Sequence, residues 1–119
     1  MRAELFQRAV HLFNNREFFE CHEALEEAWL SEREARRLFL QGLIHTAVGF
    51  HHSQRGNLMG ASRQLRKGLY KLKAYLPACE GIDTERLCRE VLSVLDRVEA
   101  GGMVADYPQI HTASGRSPQ

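Results

Sequence analysis

The chain has 119 residues, of which 44% are hydrophobic and 26% charged, with a formal net charge of +1. That composition is typical of a folded globular chain. It excludes disorder along the whole length and leaves room for a core that needs no disulfide or metal to form. The near-neutral balance points to neither nucleic acid nor a membrane surface as partner, and Cys21, Cys79 and Cys88 read as free thiols because no pair has the spacing of a zinc knuckle or redox motif.

No apolar run reaches the ~20 residues that cross a bilayer, and with an acid as early as Glu4 in Met1-Arg2-Ala3-Glu4 no signal peptide is expected. A cytoplasmic protein is expected, as one helical domain over residues 1–110 with a mobile tail over 111–119.

Strand signals are nearly absent, and no Asn-Gly or Asp-Gly hairpin turn occurs. Helical spacing dominates. The first helix carries Leu5, Ala9 and Leu12 beside Phe6, Val10 and Phe13, and ends at Asn14-Asn15. The second runs from about Glu17 to Ser31, with Phe18, Leu25 and Trp29 on its apolar stripe and His22 among them. The third runs from about Glu34 to Arg55. Gly56 suits its C-terminal cap and Asn57 the N-cap of the fourth helix. The fourth holds Leu58, Ala61, Leu65, Leu69, Leu72 and Leu76 until Pro77 stops it. Asp83 caps the fifth, with Ile82 and Leu87 spaced as a hydrophobic staple. That helix carries Leu87, Val91, Val94 and Val98 and ends at Gly101-Gly102. The fold class expected is all-α, a compact bundle of about five antiparallel helices around a central third one.

The third helix has no charge between Gln41 and Gln54. At about 100° per residue, Leu40, Leu43, Ile44, Ala47 and Phe50 form a broad apolar face. Gly42, Thr46, Gly49 and Ser53 form a stripe of small residues, suited to close helix packing. Gln41, His45 and His52 form a third stripe with Val48. Polar groups on so sheltered a helix need partners. His51 falls on the apolar side and reads as a packed core histidine.

The second helix offers such partners. His22 and Glu26 are four residues apart and share a face, and Trp29 walls the same side. An imidazole and a carboxylate so placed can share a cation, or the carboxylate can simply hold the imidazole by a hydrogen bond. The zinc-protease pattern fails because Glu26 stands where a second histidine belongs. A metal needs a third ligand, and His52 or His45 on the third helix are the natural donors. His22, Glu26 and His52 would leave positions open for water, the arrangement of hydrolytic zinc centres. Glu23 would then be the general-base candidate, and Gln41 and Asn57 polar orienters. The alternative is a structural polar network of His22, Glu26 and Gln41 or His52 beneath Trp29. Cys21 points away from His22, which weakens a nucleophile-base pair. Arg63, Arg66, Lys67, Lys71 and Lys73 read as a solvated basic face, since no aromatics for base stacking accompany them.

Phe18-Phe19-Glu20-Cys21-His22-Glu23-Ala24-Leu25-Glu26-Glu27-Ala28-Trp29 resembles the signature of domain-of-unknown-function family 309, in which a His, a Glu and an aromatic stand as His22, Glu26 and Trp29 do here. Leu40-Gln41-Gly42-Leu43-Ile44, His52, Arg55-Gly56-Asn57 and Gly60-Ala61 are similar to the family as well. The resemblance implies an all-helical cytosolic protein with no established activity, whose motif has been suggested to bind metal. It also implies Gln where this chain has His45. Two functions are therefore expected as candidates. One is a small protein binding a divalent metal such as zinc, with hydrolytic chemistry open to it. The other is a non-catalytic module presenting a helical surface to a protein or peptide. A homo-oligomer is compatible with either.

Overall fold

A computed structural model describes residues 2–32 and 36–113. The helices are α1 (Ala3–Asn14), α2 (Phe18–Leu30), α3 (Arg36–Gln54), α4 (Leu58–Leu72) and α5 (Thr84–Glu99). A two-stranded antiparallel hairpin, β1 (Ala78–Cys79) and β2 (Ile82–Asp83), joins α4 to α5. The all-α bundle is as expected. The expected start of α3 at Glu34 and the tail residues 114–119 lie outside the described residues.

The helix ends follow the local chemistry. Gly56 has φ +78° at the end of α3, a left-handed conformation that costs a glycine nothing. Asn57 Oδ1 then accepts from Gly60 N at 2.9 Å, and Asp83 Oδ1 accepts from Arg86 N at 2.9 Å. Gly101 has φ +81° beyond α5.

Three local expectations change. α4 gives way at Leu72 to a 3-10 turn, Lys73–Tyr75, before Pro77 is reached. The hairpin was not expected, because its turn is Glu80-Gly81, both residues with positive φ, rather than the usual Asn-Gly or Asp-Gly. His111–Ala113, expected to hang free, are tied to that hairpin. Asp83 N donates to His111 O at 2.8 Å, and Ala113 N donates to Gly81 O at 2.9 Å.

α3 lies at the centre, packed most extensively against α4 and then α2. Its small stripe interlocks with α4. A Cβ added at Gly42 would stand 2.7 Å from Leu72 Cγ, and one at Gly49 would stand 2.7 Å from Leu65 Cδ2. In return, Gly68 of α4 leaves space for Thr46 and the Gly42 carbonyl. Tight packing thus accounts for both interior glycines. On the inner side, Phe13, Phe18 and Phe50 form an edge-on aromatic cluster with Tyr107 from the C-terminal segment.

Candidate functional site

With α2 on one side and α4 on the other, α3 turns its third face outward. Gln41, Ile44, His45, Val48, His51 and His52 are all half-buried, whereas Phe39, Leu40, Gly42, Leu43, Thr46, Ala47, Gly49, Phe50 and Ser53 are buried. The outward stripe is uncharged and runs from Gln41 to His52.

One end holds histidines. His22 Nδ1 lies 2.6 Å from the Phe19 carbonyl, a bond within its own helix, and Nε2 lies 3.6 Å from Glu26 Oε1. The Phe19 ring sits between His22 and His51, with centroids 5.0 and 5.4 Å away. His51 is thus not a core histidine. It leans toward α2, and burial pushes its pKa below the usual histidine value. Arg55, His52 and His22 add to that depression and Glu20 opposes it. His52 lies beyond, its Nδ1 3.4 Å from Asn57 Nδ2.

His45 faces the other way. Its Nδ1 is 2.7 Å from Gln64 Oε1 on α4, a contact suited to an Nδ1–H donating to the amide oxygen. Trp29 is half-buried at the opposite end from the histidines. The Arg37 guanidinium lies 3.8 Å from its ring centroid, and Arg37 Nη1 donates to the Glu32 carbonyl at 2.7 Å. Trp29 therefore anchors the start of α3 as well as walling α2. Its Nε1 is buried without a partner.

Of the residues singled out in the sequence, His22 and Glu26 are paired as expected. His52 and Asn57 meet each other, Gln41 lies on the outward stripe, and Glu23 is exposed on α2. His45 is held by α4. Among the described residues no group of three or more His, Cys, Asp or Glu is placed to hold a metal ion. Cys21 is buried and its thiol is pushed up to about 12, so it is no nucleophile at neutral pH. His51 is the residue the sequence reading missed. Its azimuth, on the border between the apolar face and the outward stripe, was the available signal. Among the described residues no helix is long and apolar enough to cross a membrane.

Comparison with known proteins adds the following. The chain is 36% identical over 93 residues to the uncharacterized protein YpuF of Bacillus subtilis (strain 168), covering 76% of this chain and 53% of that protein. It is 28% identical over 100 residues to an uncharacterized protein of Aquifex aeolicus (strain VF5), covering 83% of this chain and 30% of that one. The chain thus spans about half the length of the first curated relative and under a third of the second. The model of a domain of unknown function, DUF309, matches residues 6–64, from α1 to the middle of α4. Over those residues the chain belongs to the DUF309 family.

Proposed function

We propose that this protein is a non-catalytic interaction module whose docking face is the outward stripe of α3 with its α2 and α4 rims. One observation carries the reading: a central helix leaves six consecutive-turn residues, Gln41, Ile44, His45, Val48, His51 and His52, half-buried and uncharged in the middle of the molecule. Depletion of charge at the centre with polar and charged residues at the rim is the composition of a protein interface. Phe19 is 45% exposed at the edge of this face, and aromatic side chains are enriched at protein interfaces. The histidines already have partners in Phe19, Gln64 and Asn57, which favours a pre-formed surface over a reactive centre.

The competing reading keeps His22, Glu26 and His52 as ligands of a divalent metal, with Glu23 as base. The pair His22 and Glu26 supports it, with Nε2 and Oε1 3.6 Å apart on a half-exposed helix face.

One experiment separates the two. A photo-crosslinking amino acid is placed at position 48 in cells, and zinc is titrated into the purified protein. The docking reading expects a defined protein adduct that disappears when Ile44→Glu is added, and no stoichiometric zinc. A single tightly bound zinc that requires His22, without any adduct, would hand the site to the metal reading.

A further inference from the structure

Resting on the docking face above, we propose that its occupant is a second copy of this chain, related by a two-fold axis running along α3. The argument is the placement of charge on the two rims. α2 carries Glu23 and Glu26, both exposed, along one edge of the stripe. α4 carries Lys67, exposed, and Lys71, half-buried, along the other, and both lie close enough to His45 to depress its pKa.

The heights of these charges match. The Phe19–His51 and Trp29–Arg37 ring contacts place α2 antiparallel to α3. The His45–Gln64 bond and the Gly49–Leu65 and Gly42–Leu72 contacts do the same for α4. Between those markers, Glu23 and Lys67 lie near the level of His45 on opposite sides of α3. Glu26 and Lys71 lie one turn further toward the α3 N-terminus, near the level of Gln41, again on opposite sides.

A two-fold axis parallel to α3 preserves height and exchanges sides. It sets Glu23 against the partner's Lys67, Glu26 against the partner's Lys71, and each of these contacts occurs twice, as an isologous interface requires. The two α3 helices then run parallel and meet through Ile44, Val48 and Gln41, where no charge is buried. An axis perpendicular to α3 would instead set the glutamates of the two copies against one another, which is repulsive. The rim charges thus select one geometry of self-association, in which an uncharged centre is bracketed by opposite signs.

The test is sedimentation velocity at about 100 μM, a concentration that populates a dimer of micromolar affinity, with wild type, Glu23→Lys, Lys67→Glu and an equimolar mixture of the two variants. Wild type is expected as a dimer that weakens with added salt. Each single variant places like charges in two symmetric contacts and should weaken association by about tenfold or more. The mixture should restore it, because every contact in the mixed dimer again joins opposite charges. Loss in each single variant together with restoration in the mixture is specific to this axis, and all the substituted positions are exposed, so the fold is not at stake. A dimer unaffected by either substitution would overturn the geometry. A wild-type monomer that still crosslinks from position 48 to another protein would overturn self-pairing and leave the docking face standing. A monomer that crosslinks to nothing would overturn both.

Discussion

His45 of α3 and Gln64 of α4 are joined across the interface between the two helices, Nδ1 to Oε1 at 2.7 Å. Burial depresses the pKa of His45, Lys71 and Lys67 add to that depression, and the Gln64 bond opposes it. The folded state therefore holds fewer protons than the unfolded one near the usual histidine value of about 6.5. The stability associated with neutral His45 is complete above that value and is lost as pH falls from it toward the lowered folded value. Urea midpoints measured between pH 7.5 and about 5 should decline, in the window set by histidine titration. His45→Gln keeps an amide donor in place of the imidazole and removes the titration, so the decline should shrink. Some slope should remain, because His51 is depressed in the same direction. An unchanged slope in His45→Gln would contradict this account.

Gly49→Ala adds a methyl group 2.7 Å from Leu65 Cδ2 and 3.2 Å from the Leu65 backbone nitrogen. Alanine is favoured over glycine inside a helix by about 1 kcal/mol, but overpacking a filled core costs about 1–3 kcal/mol. The clash should win, with a net loss in chemical denaturation. In a Leu65→Ala background the added methyl finds space, so the two costs should not add.

The His22 ring is mostly buried, with its side chain 18% exposed, while the Glu26 side chain is 55% exposed. His22→Ala should cost about 1–2 kcal/mol through the lost bond to the Phe19 carbonyl and the lost ring packing. Glu26→Gln should cost less than about 0.5 kcal/mol, as for an exposed pair one turn apart. Equal losses in the two variants, read from denaturation curves, would show that the pair itself holds the fold.

Asn57 caps α4 through Gly60 N at 2.9 Å. Asn57→Ala should cost about 1 kcal/mol, whereas Asn57→Asp should keep most of the cap. Amide exchange at Gly60 reports the loss directly.

The parts of the fold that were legible in the sequence are those that depend on neighbours along the chain. Gly56-Asn57 and Asp83 marked helix ends correctly because a cap is chosen within four residues. The uncharged run from Gln41 to Gln54 marked α3 as central for the same reason. The Glu80-Gly81 turn was not legible, since glutamate rarely takes positive φ and the docked segment His111–Ala113 that braces the hairpin lies far along the chain. The site was half legible. Helical periodicity gives a residue's azimuth but not which helix stands there. His45 and His52 were both expected to face α2. With α3 between two neighbours, His45 reaches α4, and His51, one border residue over, meets Phe19.

The most direct measurement of the central claim is the sedimentation mass of Val48→Glu beside wild type, with thermal unfolding of both at a concentration too low for association. Val48 is half-buried at the centre of the outward stripe, so a charge there should leave the monomer's unfolding temperature within about 3 °C and abolish the dimer. A variant that unfolds as wild type does and sediments at the same mass would show that the outward stripe of α3 is not a docking face.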